Sequence, residues 1–453
     1  MESTFETLFT KFNAFSSFGD QASLDSSSPS FWLSVITIIT AVYVLITKYN
    51  NSIKSKSQSH DDDENNLSST NKETSSSSAP PPRGKSKFYD SFDENYKIHP
   101  VEPDFQWSET SALKSYPFKN AAYKLTMSIA TLHPQDWLLV EPTYLNRLEN
   151  KKKILNNCHP DYPKDKNTRE STLFMTDEAY TAVVEFYELV MNYMCDKYPT
   201  CFERNNEVES EGESESKSKS KGQVKNLITG KSYPLHGKGV DGLVLQEYLT
   251  ENIEEDFIIL QLDPEQAKAT PEDPTSSEYF FKAGVFAFAA GFNPLDRFNK
   301  PLTFIHERIP GYTAKLRTSM NKFFNRIQPH QFVTRSNWSL QTHSKFYVDD
   351  SNKGHNLPAD YIQQALDYDS LDFENDVHYR SERQVLTRLP KSKAIVFTIR
   401  TYLLPLAKVK SDGMEVRQRL IGAIRGLPED ISRYKRAEEW GPPIIKYLEE
   451  EED

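Results

Sequence analysis

Four patterns carry side chains or backbone able to do chemistry. His236-Gly237-Lys238-Gly239-Val240-Asp241-Gly242 holds a Gly-x-Gly-x-x-Gly spacing. Such glycines cradle a pyrophosphate only when a hydrophobic strand precedes them and a βαβ unit follows. Here Lys231-Ser232-Tyr233-Pro234-Leu235 precedes, so the run reads as a loop. Asp367-Tyr368-Asp369 is an acidic pair that could hold a divalent ion beside a sugar nucleotide, or ordinary loop acidity. Cys158, Cys195 and Cys201 have no Cys-x-x-Cys spacing and are too few for a plant-type iron–sulfur cluster. An oxidase-type activity in a chain with neither a nicotinamide site nor such a cluster would need a separate reductase. Finally, Arg380, Glu382, Gln384 and Arg388 alternate along one segment. If that segment is a strand they share a face, as in a salt-bridged ladder on an open sheet.

The elements that must position these groups begin near residue 88. Residues 1–30 are polar. Phe31 to Tyr49 is apolar but for Lys48, long enough for a spanning helix. A signal peptide fits less well, because 30 residues precede the run and no Ala-x-Ala site follows it. Lys48, Lys54 and Lys56 outnumber the lone Lys11 before the run, which places the C-terminal part in the cytosol. The expectation is thus a single-pass membrane protein in a lipid bilayer. Residues 50–87 are Ser, Asn, Asp, Lys and Pro, the composition of a disordered tether. A second low-complexity stretch, 203–222, reads as a surface insertion. The net charge of −11 argues against nucleic acid as a partner.

Within 88–453, Thr176 with Asp177 and Glu178 starts a helix whose apolar face runs from Tyr180 to Met194. A helix is expected after Pro310, with Leu316, Met320, Phe323 and Ile327 on one side, and another over Met414 to Arg425. Lys393 to Tyr402 is the clearest strand, with Ile395, Phe397 and Ile399 on one face; Leu389 to Ser392 is a turn, and His378 to Thr387 its hairpin partner. The fold class is α+β.

Five blocks together resemble one family: YKLTMSIATLHPQDWLLVEPTY (123–144), LQEYLTENIEEDFIIL (245–260), PLTFIHERIPGY (301–312), RSNW (335–338) and RSERQVLTRLPKSKAIVFTIRTY (380–402). In order and spacing these are similar to the heme-dependent oxidative N-demethylase-like family, across residues 88 to 449. The resemblance implies a PAS-like heme domain with added helices. It also implies heme b as cofactor, a small amine as substrate and oxygen as oxidant. The membrane anchor and the 203–222 insertion depart from the bacterial pattern. So does FAFAAGFNP (286–294), where the family has a Cys-Phe-Pro-Ser-x-Trp-like stretch.

On that resemblance the iron needs an axial imidazole. His306, in an apolar segment before a Pro-Gly turn, is the first candidate and His378 the second; His330 and His343 are weaker. The competing reading of His306 is a core histidine bonded to backbone. The propionates would be met by Arg380, Arg383, Arg388 and Arg400 around one hairpin, with Arg335 of the RSNW block in support. Glu382 would orient an arginine or receive a substrate ammonium. Rival readings are a non-enzymatic heme sensor or carrier, because a fold does not fix a function, and an anchored glycosyltransferase using the Asp367–Asp369 pair.

Overall fold

The computed structural model describes residues 97–162, 167–205, 222–348, 352–358 and 360–451. The apolar run 31–49 and the tether 50–87 lie outside them. No helix among the described residues is long and apolar enough to cross a membrane.

In chain order the elements are β1 (Ala130–Thr131), α1 (Tyr144–Leu155), β2 (Leu173–Met175), α2 (Tyr180–Lys197), β3 (Phe202–Asn205), β4 (Gln223–Asn226) and β5 (Ser232–Pro234). Then come α3 (Gly242–Thr250), β6 (Asp256–Leu262), α4 (Pro264–Ala269), β7 (Tyr279–Val285), α5 (Leu302–His306), α6 (Tyr312–Lys315), α7 (Arg317–Arg326) and β8 (Phe332–Gln341). The last are β9 (His378–Arg388), β10 (Ile395–Pro405), α8 (Leu406–Lys410), α9 (Met414–Arg425), α10 (Glu429–Lys435) and α11 (Ala437–Glu449). The class is α+β, as expected.

A seven-stranded sheet has the order β1-β8-β9-β10-β6-β7-β2, and β3-β4-β5 form a small second sheet. Every ladder is antiparallel. The hairpin read from sequence is present: β9 and β10 pair from Arg388↔Ile395 to His378↔Pro405. Period-2 alternation then fixes which side chains meet.

One face of the large sheet is sealed by α2. Its Val183, Phe186 and Val190 share a cluster with Phe257, Ile259, Val385 and Val396. The helix follows a short 3-10 turn, Asp177–Ala179, and ends at Tyr198, one residue before Pro199. The other face receives Leu302 of α5 and Phe324 of α7, which pack with Val333, Leu386 and Ile395. The helix expected after Pro310 is broken into α6 and α7 at Leu316. At the far end α9 and α11 close on Leu340 and Tyr379.

Two sequence readings change in detail. The insertion is narrower than 203–222, because Glu203 and Asn205 pair with Lys225 and Gln223. Its two ends are therefore neighbours in one hairpin. The Gly-x-Gly-x-x-Gly run leads into α3, where the Asp241 carboxylate accepts the Leu243 and Val244 amides. The strand before it, β5, belongs to the small sheet and the strand after, β6, to the large one, so no βαβ unit forms.

Candidate functional site

The face of the sheet that carries α5 holds an opening. Ile258 of β6 and Phe397 of β10 are directly paired across strands. Both are partly accessible, while the residues on either side of each are buried. Accessible apolar residues in the middle of two central strands mean that the covering layer is incomplete there. Ile305 of α5 and Phe292 border the same clusters as Ile258 and Phe397.

His306 ends α5, one residue after Ile305, which packs on the cluster that Ile258 and Phe397 border. Its Nδ1 lies 2.8 Å from the carbonyl oxygen of Leu302, four residues back in the helix. The ring stacks on Tyr312 at 5.1 Å. Burial lowers its pKa to about 4; the Leu302 bond opposes the shift, and Arg335 and Arg297 add to it. The imidazole is thus neutral at physiological pH. With Nδ1–H given to the backbone, Nε2 keeps the lone pair, the form in which histidine binds a metal. The core-histidine reading accounts for one ring nitrogen only.

Toward the other end of the face the side chains turn polar. Register places Arg335 opposite Gln384 and Asn337 opposite Glu382. Arg335 Nη1 donates to Gln384 Oε1 at 2.7 Å, and its Nε donates to the Met127 carbonyl at 3.1 Å. Glu382 accepts from Gln384 Nε2 at 2.9 Å, Arg380 Nε at 3.3 Å and Asn337 Nδ2 at 3.4 Å. Burial raises the Glu382 carboxyl, but Arg380, Asn337 and Lys353 bring it below its usual value, so it stays an anion.

Two lysines join this face from distant segments. Lys435, the last residue of α10, donates to the Trp338 carbonyl at 2.9 Å. Burial lowers its pKa to about 7, with Lys353 and Arg335 lowering and Glu382 raising it. Lys353 lies 5.8 Å over the Tyr434 ring, and burial lowers its pKa to about 8 against the pull of Glu382. Its stem packs on Gly291, which has φ +95°, and a Cβ there would come within 2.3 Å of Lys353 Cγ. The divergent 286–294 stretch therefore borders the site. Neither lysine sits in a motif, and nothing in the sequence marked them.

The hairpin arginines do not form the single clamp expected. Arg380 stays on the open face, bonded to Glu382 and to the Phe346 and Phe288 carbonyls. Arg383 points to the sealed face and donates to the Trp137 and Asp136 carbonyls. Arg388 is taken up by the Ile327, Phe324 and Lys393 carbonyls and by the Tyr279 hydroxyl. Arg400 is enclosed by Glu141 at 2.5 Å, Glu254 at 2.6 Å and Glu255 at 3.1 Å. Strand alternation puts Arg383 and Arg400 on the face opposite Arg380, and Arg388 shares the face of Arg380 but lies at the other end of β9. Arg400 pairs with Arg383, and Gln384, one residue on, faces Arg335.

His378 begins β9 with its Nδ1 2.9 Å from the Asp376 carbonyl, at the end of the strand away from Arg388. His343 is neutral too, its pKa lowered to about 4 by burial and then Lys345, and its Nδ1 accepts the Lys345 amide at 3.3 Å. The Asp367–Asp369 pair flanks Tyr368, whose hydroxyl bonds Glu450. Among the described residues no group of three His, Cys, Asp or Glu side chains is placed to hold a metal ion.

A family model described as haem-dependent oxidative N-demethylase, alpha subunit-like, matches residues 128–445. The chain belongs to that family. The match covers every side chain named on the open face, from Ile258 to Lys435.

Proposed function

We propose that the chain is a heme-binding oxidoreductase that oxidises a C–H bond next to nitrogen in a small amine. The observation that carries the reading is His306, a neutral imidazole with its Nδ1 held by Leu302, next in the chain to Ile305, which packs on the cluster bordered by the accessible Ile258 and Phe397. The residues suit a heme: an apolar strip for the ring, one imidazole for the iron, and cations at the polar end. The antiparallel sheet with short helices on the open face supports a PAS-like arrangement. No Cys-x-x-Cys-His attachment motif occurs in the sequence, which supports non-covalent heme b.

Bound heme supplies what no side chain here has, the binding and reductive activation of oxygen. His306 would hold the iron, with Leu302 fixing its tautomer. The apolar strip would exclude water from the ring. Glu382, kept anionic by Arg380 and Asn337, would attract a protonated amine. Demethylation would send one oxygen atom into formaldehyde and the other into water, consuming two electrons and two protons. These electrons would come from a separate reductase. The 31–49 run and the lysines after it support a bilayer tether with residues 88–453 on the cytosolic side.

The test uses the full chain with hemin, a surrogate reductase and a series of small secondary amines. The expected result is a Soret band with amine-dependent oxygen uptake and formaldehyde release. A Soret band without amine-dependent uptake would favour a sensor or carrier. No Soret band at all would overturn the heme reading.

A further inference from the structure

The open face carries more positive charge than its own carboxylate balances. Arg335, Arg380, Lys353 and Lys435 act on Glu382 or on one another. Glu382 is already matched by Arg380 through a 3.3 Å ion pair. Arg335, Lys353 and Lys435 are then left as surplus. Among the described residues, Glu382 is the only carboxylate that raises the pKa of either lysine or of Arg335.

The surplus is assembled rather than scattered. Arg335 comes from β8, Lys353 from the segment before β9, and Lys435 from the end of α10. Lys435 is held on its backbone acceptor and over the Trp338 ring at 5.5 Å. Lys353 is laid across Gly291, a position whose positive φ and close contact suit glycine. Like charges brought together away from water repel and lose hydration, and an anion relieves both costs. Lys353 lowers the pKa of Lys435, the mark of that repulsion.

We propose that Lys353, Lys435 and Arg335 form the seat for the two propionate carboxylates of heme, in place of the hairpin arginines. This rests on the heme reading above. With His306 at the apolar end and these cations at the polar end, the seat also fixes which edge of the macrocycle faces Glu382. A carboxylate of a substrate has the same chemistry, so the probe must separate the two.

The experiment titrates the full chain with hemin and with hemin dimethyl ester, whose propionates carry no charge. Affinity is read from the Soret band. Lys353→Met and Lys435→Met should each weaken hemin about ten-fold, the usual loss for a charge-assisted bond. The pair should weaken it more. Neither should change binding of the ester, and retained ester binding shows that each variant is folded. Hemin affinity unchanged in both variants would overturn the proposal while leaving the heme reading intact. Equal losses for hemin and ester would also overturn it, since the lysines would then act on packing or on another ligand. Absence of binding by the wild-type chain to either probe would remove both readings.

Discussion

Arg400 and Arg335 belong to the same sheet but to opposite faces, and their surroundings differ in kind. Arg400 is almost fully buried and meets three glutamates, Tyr402 and the Leu139 carbonyl. Burial would lower its pKa, yet Glu254, Glu255 and Glu141 hold it well above the usual arginine value. Arg335 is partly accessible, and burial lowers its pKa, with Glu382 and then Tyr123 to resist. On one face three glutamates close around Arg400, with Arg147 and Lys151 also acting on them; the other has surplus cations around a single carboxylate. The first is a closed framework that ties Glu141 before α1 to β10 and the segment before β6. The second is complete only when an anion arrives. An arginine in a recognisable motif therefore marks either a strut or a binding group, and its partners decide which.

Arg400→Ala should break the framework. It removes the cation that bonds Glu141, Glu254 and Glu255 together, a loss of about 3–5 kcal/mol for one partner of a buried ion pair. Chemical denaturation should show the midpoint collapsing, or no soluble protein at all. A change below about 1 kcal/mol would mean that the glutamates take up protons at little cost, and the strut description fails.

The open face should respond in the opposite sense. Lys435 has a folded pKa of about 7 in place of 10.5. The unfolded chain binds the proton more readily between those values, so this lysine costs nothing above pH 10.5. The cost grows as pH falls toward 7. Lys435→Met should raise the melting temperature of the heme-free protein, by more at pH 7 than at pH 10, while weakening hemin. A gain of the same size at both pH values would show that the amine is not the cause. Stability traded for binding is the usual sign of a functional site.

The mildest change lies outside both faces. Asn205 and Gln223 are already paired, so the chain between them closes a hairpin. Replacing residues 206–221 with a short Gly/Ser linker should leave melting temperature and hemin affinity nearly unchanged, since loop-closure entropy varies slowly with length. A large loss would show that this segment packs against the domain.

These contrasts explain what the sequence could and could not reveal. The β9–β10 hairpin was readable, because β-branched and aromatic residues alternate on both sides of Leu389-Pro390-Lys391-Ser392. α2 was readable from apolar periodicity, although Thr176 precedes a 3-10 turn and its side chain makes no cap bond, and α9 lies where a late helix was expected. α11 was not, because Pro442 and Pro443 sit inside it and argue against a helix. In the site, Glu382, Arg335 and Arg380 were named and lie on one face, with Arg335 acting on the also-named His306. Arg383, Arg388 and Arg400 were named with them and go elsewhere. A motif shows that arginines are near in sequence, whereas face and partner follow from the strands on each side. Lys353 and Lys435 required tertiary structure outright, being 82 positions apart on unrelated segments.

The central claim is that the open face binds iron through His306. His306→Gly, reconstituted with hemin, tests it most directly when free imidazole is then added. The account predicts that the glycine variant loses or shifts the Soret band of the full chain, that imidazole restores the wild-type spectrum, and that His378→Ala changes neither. A His306→Gly spectrum identical to wild type, with His378→Ala abolishing the band, would contradict it.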